Sequence, residues 1–151
     1  ILNYLIKLML DGIIKTSLKK IDLDGGSVFH GMKKNDSGYI GFGETYFSFV
    51  NKNVVKGWKL HTKMTLNLIV PIGKINFNFI DYRKNSKTYN KLFQIIMSQE
   101  DYFRLTVPPN IFFAFKGLSS NINMLVNIAD IPHDPNEIIR KELNEIKFCD
   151  K

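Results

Sequence analysis

Between Gly57 and Asn67 the chain reads Gly-Trp-Lys-Leu-His-Thr-Lys-Met-Thr-Leu-Asn, and extended backbone would set Lys59, His61, Lys63, Thr65 and Asn67 on one face. The opposite face carries Leu60, Met64, Leu66 and Leu68, interrupted by Thr62. An imidazole flanked at two-residue spacing by ammonium groups is a proton acceptor held beside positive charge. That suits chemistry on an anionic or enolate-forming substrate. A solvated face of an antiparallel sheet carries the same alternation. What sets this segment apart is its continuation: Pro71-Ile72-Gly73 predicts a tight turn into Ile75 to Tyr82, a hairpin partner that alternates again and collects Asn76, Asn78 and Tyr82 on one side. Short amides on two successive strands are unusual for exterior surface, where Lys and Glu are commoner.

Gly41 to Val50 alternates too and places Glu44, Tyr46 and Ser48 together. Metal chemistry is a poor fit. The sequence offers His61-Thr62-Lys63 where a His-x-His pair would be needed, and His30 and His133 are the only other histidines, so no metal and no other cofactor is expected. The single cysteine, Cys149, lies past the last regular pattern. It can form no internal disulfide, which fits a reducing cytoplasm.

The elements that must position these residues follow from pattern and length. The 151 residues, 44% hydrophobic, suffice for one domain spanning 1–151 with a single core. Twelve Phe and six Tyr spread over short segments favour a sheet-built protein. Extended segments are expected at Ser27 to Met32, Gly41 to Val50, the His61 strand, Ile75 to Tyr82, Lys91 to Met97, Tyr102 to Val107, Ile111 to Phe115 and Asn121 to Ile128, with turn residues between them. Only Asn136 to Ile146, with Ile138, Ile139, Leu143 and Ile146 at helical spacing, predicts a helix. The expected fold is therefore all-β, an antiparallel jelly-roll barrel closing on itself with a short C-terminal helix. Such barrels enclose ligand cavities. Ile1 to Leu10 is apolar but interrupted by Asn3 and Lys7 and too short to span a bilayer, so residues 1–12 are expected to be a first strand or a leader, with no membrane role. The net charge of +7 rests on scattered lysines, with Arg83, Arg104 and Arg140 the only arginines and no basic helix, so nucleic acid is not an expected partner.

From Gly41 to Glu137 the chain resembles the sugar-nucleotide 3,5-epimerase family typified by dTDP-4-dehydrorhamnose 3,5-epimerase, on a cupin-type jelly roll. Tyr46-Phe47-Ser48 stands where that family has Asn-x-Ser. Lys56-Gly57-Trp58-Lys59-Leu60-His61 resembles its Arg-Gly-Leu-His. Ile80-Asp81-Tyr82-Arg83 with Ser86 and Thr88 matches Asp-x-Arg-x-Ser-x-Thr, Arg104 to Pro109 matches a strand ending in Ile-Pro, and Asp134-Pro135-Asn136-Glu137 matches Asn/Asp-Pro followed by an acid.

The resemblance implies an isomerase acting on a nucleotide-linked 4-keto-hexose in surface-polysaccharide synthesis. His61 would be the general base, with Lys63 or Lys59 beside the enolate or the diphosphate. Asn127 occupies the family's tyrosine position and Phe113 that of its second histidine. The candidates for a substitute proton donor are then Tyr46, Tyr82 and Tyr102; Tyr46 is the first choice because it shares a face with Glu44 and Ser48. The family's base pairs with an aspartate in a C-terminal extension that this shorter chain lacks, so His61 is expected without a carboxylate partner unless Asp81 orients it. Glu44, Ser48, Lys59, Asn67, Asn78, Tyr82, Arg104 and Asn127 are the expected substrate-binding residues. The family also implies a homodimer trading edge strands through Ile1 to Leu10 or Ile13 to Leu18. A non-catalytic sugar-nucleotide or carbohydrate-binding cupin would use the same faces without a proton relay, and an interaction module would need them outside.

Overall fold

The computed structural model describes residues 9–150, so most of the apolar stretch Ile1 to Leu10 lies outside the described residues. The strands are β1 (Ile14–Ser17), β2 (Lys20–Ile21), β3 (Val28–Phe29), β4 (Glu44–Phe49), β5 (Val55–His61), β6 (Leu66–Ile72), β7 (Lys74–Asp81), β8 (Leu92–Ser98), β9 (Phe103–Val107), β10 (Ile111–Gly117), β11 (Met124–Ala129) and β12 (Ile138–Arg140). Two five-stranded antiparallel sheets, ordered β1-β9-β6-β11-β4 and β12-β5-β10-β7-β8, face each other as the walls of a jelly roll; β2 and β3 form a separate ribbon.

Alternation decides which side chains fill the space between the walls. Leu66, Leu68 and Val70 of β6, Phe103, Leu105 and Val107 of β9, and Leu125 and Ala129 of β11 come from the first sheet. They meet Ile75, Phe77 and Phe79 of β7, Phe93 and Met97 of β8, and Ile111, Phe113 and Phe115 of β10. Phe77, Phe79, Phe113 and Phe115 form a continuous aromatic stack with centroids 5.5–6.4 Å apart.

The expected strand from Gly57 to Asn67 is two strands. β5 ends at His61, the chain bends through Thr62 to Thr65, and β6 begins at Leu66 in the other sheet. The bend resets the parity. Lys59 and His61 face the interior, whereas on β6 it is Leu66 and Leu68 that do, and Asn67 turns to the outer face, where its side chain accepts from Thr106 Oγ1 at 2.7 Å.

The expected hairpin is likewise a crossing between sheets. Gly73, at φ 81°, makes that turn where a Cβ would lie 2.2 Å from the Ile122 carbonyl. Asn76 and Asn78 consequently lie opposite Phe77 and Phe79, on the outer face of the second sheet. There both amides donate to the Cys149 carbonyl, at 3.2 and 3.1 Å, and Gln94 joins them at 2.9 Å. The C-terminal segment thus lies across this face, with Trp58 Nε1 donating to the Ile146 carbonyl at 2.9 Å, and Ile146 and Phe148 cover Trp58, Leu60, Phe112 and Ala114.

The C-terminal helix is a single 3-10 turn, Pro135–Glu137, followed by β12. The turn is capped: the Asp134 carboxylate accepts from the Asn136 N–H at 2.9 Å and Pro135 opens it. It stops there because β5 has a free edge, and Ile138, Ile139 and Arg140 pair with His61, Leu60 and Lys59. Ladder bonds along an open edge, made by β-branched residues, outweigh a short helical spacing.

Candidate active site

β5 owes its reach into the interior to a bulge. Phe113 pairs with Lys59 and Ala114 with Gly57, leaving Trp58 unopposed, so both Lys56 and Lys59 turn inward despite their odd separation. Gly57 is required at this point, since a Cβ would sit 2.7 Å from Ala114 Cα.

His61 stands at the inner end of β5, buried, with its ring stacked on Phe113 at 6.2 Å and 17°. Its Nδ1 meets Glu137 Oε1 directly. The other carboxylate oxygen accepts the backbone N–H groups of Lys63 at 2.9 Å and Met64 at 3.3 Å, and the Glu137 carbonyl accepts the Thr62 hydroxyl and N–H, both at 2.9 Å. Burial alone would raise the Glu137 carboxyl, but the hydrogen bonds from His61, Lys63 and Met64 and the attraction of His61 hold it below the usual range. An ionised Glu137 can only accept, so Nδ1–H donates to it and Nε2 is the ring nitrogen left to accept. The expectation of an unpartnered base is thereby corrected: the acid is Glu137, carried to β5 by the 3-10 turn and β12.

Asp81, the other candidate partner, is buried and occupied elsewhere by Arg83 Nε at 2.8 Å, Ser86 and Thr88. Burial pushes its carboxyl up, and those hydrogen bonds overcome it and hold it far below the usual carboxylate range.

The cavity beside His61, about 50 Å³, is bounded on the β5 side by Lys56, Lys59, His61, Phe113 and Phe115, and across from them by Tyr46, Ser48, Leu66, Leu68, Leu125 and Asn127. Tyr46 and Asn127 are directly opposed on β4 and β11. Burial pushes the Tyr46 phenol above its ordinary value; the Asn127 amide works against this, and the charges of Glu44 and Glu137 add to it. Glu44 Oε1 is buried with no hydrogen-bond partner among the described residues. The Lys59 ammonium is drawn down by burial first, then by Arg140 and Lys56. A larger cavity, about 140 Å³, lies between Thr16 to Lys19 and His30 to Asp36 on the outside of the first sheet; neither Tyr46 nor His61 lines it. Among the described residues no three His, Cys, Asp or Glu side chains gather to hold a metal ion.

Of the expected site residues, His61, Tyr46, Ser48, Lys59 and Asn127 line one cavity, and the Glu44 charge acts on Tyr46. The others do not join them. Lys63 points to solvent and contributes only its N–H to Glu137. Asn67 and Asn78 serve the outer faces. Tyr82 is half exposed and packs edge-on against Phe112 at 5.2 Å, on the outside of the second sheet. Arg104 is fully buried on the outside of the first sheet, where it binds Asp36 and the carbonyls of Gly31 and Ser37, each at 2.9 Å. Glu137 and Lys56 were missed. Glu137 carried a signal in Asp134-Pro135-Asn136-Glu137, whereas Lys56 is turned inward only by the bulge.

The jelly roll thus holds a carboxylate-paired histidine inside the barrel and a tyrosine on the facing wall. The chain belongs to the dTDP-4-dehydrorhamnose 3,5-epimerase family, whose model matches residues 25–145, and it is an enzyme of the epimerase/isomerase kind. It is similar to a dTDP sugar isomerase of Desulfovibrio desulfuricans at 31% identity, over 93% of this chain and 91% of that one, with a TM-score of 0.88. A dTDP-6-deoxy-D-glucose-3,5-epimerase of Legionella pneumophila, solved with dTDP-4-keto-L-rhamnose, shares the fold at 17% identity, over 88% and 74% of the two chains, TM-score 0.78. So does a dTDP-4-dehydrorhamnose 3,5-epimerase of Sulfolobus tokodaii, at 21% identity over 91% and 81%, TM-score 0.79. No curated protein matches the chain.

Proposed function

We propose that this enzyme inverts a carbon next to the ketone of a dTDP-linked 4-keto-6-deoxyhexose, with His61 as base and Tyr46 as acid. The observation that carries this reading is their placement on opposite walls: His61 projects from β5 of the second sheet and Tyr46 from β4 of the first, into one cavity. A sugar ring between them loses a proton to one face and regains one on the other, which is inversion. Glu137 orients the imidazole and stabilises the imidazolium. Lys59 stands beside the developing enolate oxygen, and Lys56 with Arg140 supplies the positive charge that a diphosphate requires. The reaction would supply sugar nucleotides for surface polysaccharide in the cytoplasm, as the family suggests.

The test is incubation with dTDP-4-keto-6-deoxy-D-glucose in D₂O. Deuterium is expected at a carbon next to the ketone, together with an inverted product. Stabilisation by the nucleotide sugar without exchange would mark a binding protein instead.

We also infer a homodimer. β4 is an edge strand of the first sheet and exposes Phe47 and Phe49, 59% and 57% accessible, on its outer face, with Ile72 exposed beside Met124. Aromatic side chains on an open edge fit a self-complementary interface. Light scattering is expected to return twice the 17.5 kDa chain mass; a monomer at micromolar concentration would refute it.

A further inference from the structure

Asn127 sits between the proposed acid and the backbone of β6, and its amide is locked at both ends. Oδ1 accepts the Asn67 N–H at 3.0 Å, which fixes the orientation of the side chain. Nδ2 therefore faces the Tyr46 hydroxyl at 2.8 Å, with Met64 Sδ at 4.0 Å as its second acceptor. An amide nitrogen only donates, so the phenolic oxygen is the acceptor of this bond and its own hydrogen must point elsewhere. Asn127 and Tyr46 are paired across a single rung between β11 and β4, which brings the amide to the phenol.

We infer that Asn127 is a positioning residue that aims the Tyr46 O–H into the cavity, at the carbon His61 has deprotonated from the facing wall. The inference rests on the epimerase reading above. In the step concerned the Tyr46 O–H bond breaks and its hydrogen bonds to the enolate carbon. The enolate C=C pair becomes the new C–H bond and the C4 carbonyl re-forms. The phenolate, held by the Asn127 N–H, then takes a proton from water. The charged groups around this phenol are Glu44 on its own strand, and Glu137, His61, Lys56 and Lys59 across the cavity.

Asn127→Asp tests this, because the aspartate keeps an acceptor for the Asn67 N–H yet presents to Tyr46 an oxygen that captures its hydrogen. With dTDP-4-keto-6-deoxy-D-glucose in D₂O, net inversion is expected to fall roughly tenfold or more, and deuterium wash-in at the carbon deprotonated by His61 far less. The alkaline limb of kcat is expected to move to higher pH, since a carboxylate opposes the phenolate. Asn127→Ser, which loses the reach to Tyr46 without adding charge, should show the same split between inversion and wash-in. In a Tyr46→Phe background Asn127→Asp should cost nothing further. Inversion within twofold of wild type with an unmoved alkaline limb, or an equal loss when the change is added to Tyr46→Phe, overturns the inference. No wash-in by the wild-type enzyme overturns the epimerase reading itself.

Discussion

His61→Asn is expected to lower both deuterium exchange and inversion by about 10³-fold, within the range a positioned general base supplies. The change removes the acceptor while disturbing little else. An asparagine amide can still donate toward Glu137, so the buried carboxylate keeps a partner, and Phe113 keeps a planar group beside it. Among the groups lining the cavity, burial raises the Tyr46 phenol above its ordinary value, so it keeps its proton at neutral pH and offers no second base. Single-turnover exchange followed by mass spectrometry reads the effect directly. Wash-in at the wild-type rate would show that another group takes the proton.

Glu137→Gln is expected to act on rate and stability together. Without the carboxylate, the His61 Nδ1 proton and the charge of the imidazolium lose their counterpart, and kcat is expected to fall roughly 10²-fold with a smaller change in KM. The folded state is expected to lose about 2 kcal/mol at neutral pH, because the His61 Nδ1–H and the N–H groups of Lys63 and Met64 lose a charged acceptor. The sign of the pH dependence follows from the depressed carboxyl. Its contribution is complete above the ordinary glutamate range, above about pH 5, and disappears as pH falls through the lower folded value. Denaturant midpoints of wild type and variant should therefore be furthest apart near neutrality and converge in acid. A gap that stays constant from pH 7 to pH 3 would mean that Glu137 is not ionised in the fold.

Most of the architecture was legible in the chain because period-two alternation and turn residues mark strands individually, and β8, β9, β10 and β11 fall where alternation puts them. What alternation does not carry is the sheet to which a strand belongs. Gly57 to Asn67 reads as one alternating run, yet β5 and β6 belong to different sheets, and Glu137 accepts the Lys63 and Met64 N–H groups at the corner between them. That corner moved Lys63 to solvent and Asn67 outside. The second crossing, at Gly73, did the same to Asn78. Two residues of one strand separated by an even number stay on one face, so Tyr46 followed Glu44 and Ser48 inward as expected. Lys56 did not obey its parity because the bulge at Trp58 shifted it, a feature that depends on the facing β10. Glu137 lay in a segment whose spacing suits a helix, and its role came from the free edge of β5 rather than from local propensity.

His61 and Tyr46 hang from separate sheets, so no stretch of backbone fixes the gap between them. Between the walls stand Phe77, Phe79, Phe113 and Phe115, and the Phe113 ring runs within 17° of parallel to that of His61 at 6.2 Å. Interiors at crystal-like density transmit a change of ring size as a displacement of the walls they separate. A larger or smaller ring in that row is therefore expected to change the distance from His61 to Tyr46, a setting made in the middle of the barrel rather than at either residue.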